Sequence, residues 1–171
     1  MIISLVGYMG SGKSHVSKLL SEELNFNLID LDKEIATRCQ LSIPEIFRTK
    51  GEIYFRKLER ELLEELLATA ENTVISLGGG TPAYYNNMQI ISAGSVSIYL
   101  RTRVATLAGR LKRQKAKRPL IANIPDDELP EFIAKHLFER NNFYNQARYI
   151  IDTDDKTPEE IVAEIIRLPY L

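Results

Sequence analysis

The chain has 171 residues, 44% hydrophobic and 26% charged, enough apolar material for one domain whose core needs neither disulfide nor metal staple. A formal net charge of −1 excludes a general nucleic-acid or anionic-membrane surface, so any basic patch must be local. A lone cysteine, Cys39, excludes an intramolecular disulfide, and no apolar run approaches the ~20 residues of a membrane span, so a monomer in the reducing cytoplasm is expected.

In chain order, Ile2–Val6 reads as a buried strand, short and non-alternating, too short for a signal peptide and without a basic leader. It runs into Gly7-Tyr8-Met9-Gly10-Ser11-Gly12-Lys13-Ser14, which fits G-x-x-x-x-G-K-[ST], the P-loop pattern. Its glycines let successive N–H groups turn inward as an anion nest, and the following helix adds its N-terminal dipole. Lys13 is placed to reach the β- and γ-phosphates, and the Ser14 hydroxyl to hold Mg²⁺. Lys13–Leu24 then carries Val16, Leu19, Leu20 and Leu24 on one helical face.

Residues 28–31 form the next predicted buried strand, ending in Asp30-Leu31-Asp32. Alternation puts both carboxylates on one side, one for a magnesium shell and the other to orient and deprotonate an acceptor hydroxyl. The competing reading is that Asp32 caps a helix starting at Lys33. Gly51 stops one helix, and Glu52–Thr69 follows with Phe55, Leu58, Leu62 and Leu66 at helical period. On it Arg56 and Glu59 face together, which alone reads as a weak surface ion pair.

A strand at 73–77 leads into Gly78-Gly79-Gly80-Thr81-Pro82, either a plain loop or a place where a ligand approaches the backbone. Gly94 marks a helix end before the strand at 96–100. Arg110, Lys112, Arg113, Lys115, Lys117 and Arg118 put six cations in nine residues, a solvated helix face or a local nucleic-acid patch if taken alone. His15 and His136 read as surface or helix residues. A strand at 149–151 precedes Thr157-Pro158-Glu159-Glu160, a capping box opening the last helix.

Strands alternating with helices mean a parallel sheet wrapped by helices through right-handed crossovers, with ligands at the carboxyl ends of the strands. A P-loop alone leaves the reaction open between GTPase switches, ATPases and small-molecule kinases. No guanine-specific N-K-x-D signature is present.

The quoted motifs, together with Arg118-Pro119-Leu120 and with Arg140 followed by Tyr144, occur in the order and spacing of shikimate kinases, and the chain resembles that family over nearly its whole length. The resemblance implies an α/β, three-layer P-loop NTPase fold of adenylate-kinase type, a five-stranded parallel sheet in order 2-3-1-4-5 flanked by helices, over a single domain at 1–171. It implies a substrate-binding subregion at about 32–60 and a lid at about 110–125. It also implies transfer of the ATP γ-phosphate to the 3-hydroxyl of shikimate with Mg²⁺. By position, Asp32 would hold the acceptor hydroxyl and Asp30, with Ser14, the magnesium. Arg56 and Arg140 would bind the shikimate carboxylate, Glu59 would hold Arg56, and Gly78, Gly79 and Gly80 would meet the ring. Gly10, Ser11, Gly12, Lys13, Ser14 and His15 would bind ATP with Arg110 and Pro158, and Arg118 would meet the phosphates. A guanidinium fork suits an acid as target. A gluconate kinase on the same fold is the nearest alternative; the Phe55-Arg56 helix and Gly78–Gly80 favour shikimate.

Overall fold

The computed structural model describes residues 1–169. The five strands β1 (Ile2–Val6), β2 (Asn27–Asp30), β3 (Thr73–Ser76), β4 (Val96–Arg101) and β5 (Tyr149–Asp152) form one parallel sheet in the order β2-β3-β1-β4-β5. The expected strand order is therefore the observed one. Helices α1 (Lys13–Leu24), α2 (Leu31–Cys39), α3 (Ile43–Lys50), α4 (Glu52–Thr69), α5 (Asn87–Gly94), α6 (Val104–Lys112), α7 (Leu129–Tyr144) and α8 (Pro158–Ile166) cover its two faces.

Alternation along β1 divides the core. Ile3 and Leu5 point to one face, with Val16 and Leu20 of α1 and Ile161, Val162 and Ile165 of α8. Ile2 and Val6 point to the other, packed with Leu31, Phe55, Leu62, Leu107 and Tyr144 from the remaining helices. A central parallel strand buried on both faces is apolar nearly throughout, and β1 is so except for the buried Ser4.

The second strand departs from expectation. β2 lies at the sheet edge, pairs with β3 alone, and leaves Leu28 44% exposed. It also stops at Asp30, one residue early, because Leu31 opens α2. Asp30 is the N-cap of that helix, its side chain accepting from the Lys33 N–H at 3.1 Å. The capping role foreseen for Asp32 belongs to Asp30, and Asp32 sits in the first helical turn.

Candidate active site

Three loops meet at the carboxyl edge, after β1, β2 and β3. β3 separates β1 from β2, so a side chain from the Asp30–Asp32 corner must cross the Gly78–Gly80 loop to reach the phosphate loop. The glycines show how it does so. A Cβ at Gly78 would lie 2.9 Å from Asp32 Oδ1, one at Gly79 3.3 Å from an Arg140 nitrogen, and one at Gly80 2.8 Å from an Arg56 nitrogen. Each glycine makes room for one of three charged side chains that the motif reading singled out.

The phosphate loop bends through Gly10 (φ 81°) and Gly12 (φ 93°), a left-handed backbone that any other residue would strain. Lys13 opens α1, and its ammonium is turned into the loop, donating to the carbonyls of Gly7 at 2.6 Å and Tyr8 at 3.1 Å. Burial, and then the charges of Arg118 and Arg140, lower its pKa to about 8, against the pull of Asp32. Burial, then the neighbouring carboxylates Glu59 and Asp30, raise Asp32 to about 6, against Lys13 and Arg56. These are opposed shifts in one cleft, the pattern of groups tuned to exchange protons near neutrality.

A cleft of about 510 Å³ runs along the phosphate loop. Gly10, Ser11, Gly12, Lys13, Ser14 and His15 line it, with Asp30, Asp32, Arg110, Arg118 and Pro158. Arg110 reaches across from α6 to donate to the Gly10 carbonyl at 3.0 Å. A smaller cavity of about 130 Å³ shares Asp32, Gly78 and Gly79 with the cleft and adds Phe47, Phe55, Arg56, Glu59 and Gly80. Beyond it a groove carries Arg56, Tyr84, Leu120, His136 and Arg140. The two halves of the site meet at Asp32.

Arg56 and Glu59 are not a surface pair. Glu59 is 1% exposed, accepts from Arg56 at 2.9 Å and from the Thr81 hydroxyl at 2.8 Å, and so fixes the guanidinium from below. Arg140 comes from α7, flanked one turn to either side by His136 and Tyr144. His136 Nδ1 is 2.8 Å from the Tyr8 hydroxyl, and the Tyr144 hydroxyl donates to the Gly79 carbonyl at 2.5 Å. His136 is thus a strut between α7 and the phosphate loop, a role its sequence context did not signal.

The basic run is not one helix face. α6 ends at Lys112, a 3₁₀ turn follows at Lys115–Lys117, and the cations separate. Lys115 pairs with Asp126 at 2.8 Å, Arg113 donates to the Gly109 carbonyl, and Arg118 faces the cleft. Ile121 is wholly buried in the main core and pins this segment at its middle. Lys156, in the loop before α8, lines the cleft beside Pro158 and pairs with Glu164 at 2.6 Å.

The fold and cleft define a P-loop phosphotransferase with a second, arginine-lined pocket. The shikimate kinase family model matches residues 9–168. A shikimate kinase of Flavobacterium johnsoniae is 49% identical over 96% of this chain and 96% of its own length. The crystal structure of shikimate kinase from Bacteroides thetaiotaomicron superposes with a TM-score of 0.93 at 38% identity, covering 100% of this chain and 99% of that one. That of Acinetobacter baumannii shikimate kinase in complex with shikimate does so at 0.88 and 31% identity, covering 98% and 91%. The chain belongs to the shikimate kinase family, ATP-dependent kinases of the shikimate pathway.

Proposed function

We propose that this chain transfers the γ-phosphoryl of ATP to the 3-hydroxyl of shikimate, with Asp32 accepting the hydroxyl proton and Arg56 and Arg140 binding the carboxylate. The observation that carries the assignment of roles is the glycine triplet, whose three missing side chains make room for Asp32, Arg140 and Arg56; Asp32 and Arg56 line the small cavity, and Arg56 and Arg140 the groove beyond it. A base beside two guanidiniums suits a hydroxy-acid: the fork grips the carboxylate while the carboxylate of Asp32 meets a hydroxyl.

On the nucleotide side, the loop from Gly10 to His15 cradles the phosphates with backbone N–H groups and the α1 dipole. Lys13 leaves its own carbonyls for the phosphate oxygens, whose charge restores its proton affinity. Arg118 neutralises the transferring group, and Arg110 and Pro158 flank the base. Magnesium is the implied metal. Ser14, Asp30 and Asp32 offer hard oxygens in the same cleft, a sparse set that suits an ion keeping waters and phosphate ligands. Ser14 and Asp30 would hold it, and when bound it neutralises charge on the β- and γ-phosphates.

Residues 1–171 act as a single P-loop kinase domain, with a substrate-binding subregion at about 32–60 and a lid at about 110–125. A cytoplasmic monomer is the proposed working form. Coupled ADP release with a panel of acceptors tests the reading. Shikimate is expected to support turnover far better than gluconate or a nucleoside monophosphate; either of those exceeding it overturns the assignment.

A further inference from the structure

Arg56 keeps donors that Glu59 does not take. Its side chain is 13% exposed, and one terminal nitrogen is held by Glu59 at 2.9 Å. The Nε atom is buried without a hydrogen-bond partner. The acid nearest to it is Glu52, one helical turn earlier on α4, whose Oε1 stands 3.8 Å away. That is within electrostatic reach but beyond a hydrogen bond. An i,i+4 glutamate–arginine pair ordinarily closes. This one stays open because Glu52 Oε1 accepts instead from the Tyr84 hydroxyl at 2.9 Å. Tyr84 also lies flat against Arg56, its ring centre 3.9 Å from the guanidinium carbon, a close cation–π stack. The same groove is lined by Glu52, Arg56, Tyr84 and Arg140.

We infer that Tyr84 is a positioning residue for carboxylate recognition, its ring fixing Arg56 and its hydroxyl holding Glu52 off the guanidinium, so that the terminal N–H groups Glu59 does not take, beside Gly80, remain for the substrate's carboxylate. The inference rests on the reading of Arg56 as a carboxylate ligand. Burial and the Glu52 carboxylate raise the Tyr84 pKa, which keeps the phenol protonated and donating. Without the hydroxyl, Glu52 is free to close onto Arg56, and a competing internal carboxylate then turns and neutralises the guanidinium.

The test uses Tyr84→Phe, which keeps the ring, and Tyr84→Phe combined with Glu52→Ala, which removes the competitor. Tyr84→Phe is expected to raise KM for shikimate about tenfold, the effect of one charge-assisted hydrogen bond, with kcat and KM for ATP unchanged and no loss of melting temperature. Adding Glu52→Ala should bring KM back to within about twofold of the parent enzyme. A merely structural tyrosine predicts a lower melting temperature and no recovery in the double variant. Unchanged KM in Tyr84→Phe, or no recovery on removing Glu52, overturns the inference. Arg56→Ala, assayed alongside, separates the two levels. If it raises KM while Tyr84→Phe does not, only the role of Tyr84 falls. If it leaves KM unchanged, the carboxylate site itself is wrong and the inference goes with it.

Discussion

In the proposed reaction two residues carry the proton and charge balance of the site, and their pKa values move toward each other. Asp32 must be ionised to accept a proton, and burial beside Glu59 and Asp30 raises it to about 6. Lys13 must be charged to meet phosphate, and burial lowers it to about 8. The profile of kcat/KM is therefore expected to be a bell with limbs near pH 6 and 8, since that ratio reports the free enzyme. In kcat the alkaline limb should move upward, because bound phosphate favours the charged lysine. Asp32→Asn should lose about 10²–10⁴ in kcat while retaining shikimate binding. The same residue has a stability consequence of opposite sign. Its folded pKa lies above its unfolded value of 3.8, so its contribution is full below pH 4 and is lost as pH rises through about 6, up to about 3 kcal/mol. Asp32→Asn is accordingly expected to melt higher than the parent chain at pH 8 and no higher at pH 4, measured by thermal denaturation without ligands. At this scale Lys13 and Asp32 stood out through spaced motifs, whereas Arg56 and Arg140 stood out only through the family resemblance; the fold brings these side chains to one edge of the sheet. Tyr84 and His136 were not legible in the sequence, because their partners are brought by the fold: Tyr84 meets α4 from beyond the Gly78–Gly80 loop, and His136 meets Tyr8 across 128 positions.

Elements translate these residues into geometry through their ends and faces. The predicted bounds of α1 and α4 coincide with the observed Lys13–Leu24 and Glu52–Thr69, because glycine and amphipathic spacing mark them. The box opening α8 is also present, the Thr157 side chain accepting from the Glu160 N–H at 3.2 Å. The burial of Glu59 was not readable from period alone: its face of α4 would be core, yet it meets Arg56 and Thr81 there. A buried carboxylate with two partners implies a large effect of removal. Glu59→Ala should destabilise by about 3 kcal/mol, since it strands a guanidinium and a hydroxyl, and should raise KM for shikimate as Arg56 loses its fixed orientation. Thermal melts and steady-state kinetics on one preparation check both effects; a stable variant with normal KM would show that Arg56 holds itself in place. β2 was misread as buried because a short apolar run looks alike at the centre and the edge of a sheet.

At the scale of the whole molecule, the phosphate cleft and the small cavity share Asp32, Gly78 and Gly79, and the cavity shares Arg56 with the groove beyond. Strand-helix alternation announced a parallel sheet, whereas the order β2-β3-β1-β4-β5 came only with the family resemblance, since pattern does not order strands. That order sets the function: with β3 between β1 and β2, the glycine loop lies between phosphate cleft and acid groove, and charge is partitioned to either side of it. Arg56 and Arg140 line the groove, and Arg118 lines the cleft. In the proposed function these arginines act on different substrates. Steady-state kinetics of Arg56→Ala, Arg140→Ala and Arg118→Ala, with both substrates varied, tests it most directly. Loss of a charge-assisted hydrogen bond predicts a 10- to 150-fold rise in KM for shikimate in the first two, with little change in KM for ATP. In the third, kcat should fall, because the lost charge matters most while the γ-phosphoryl is in transfer. Unchanged shikimate kinetics in both Arg56→Ala and Arg140→Ala would contradict the account.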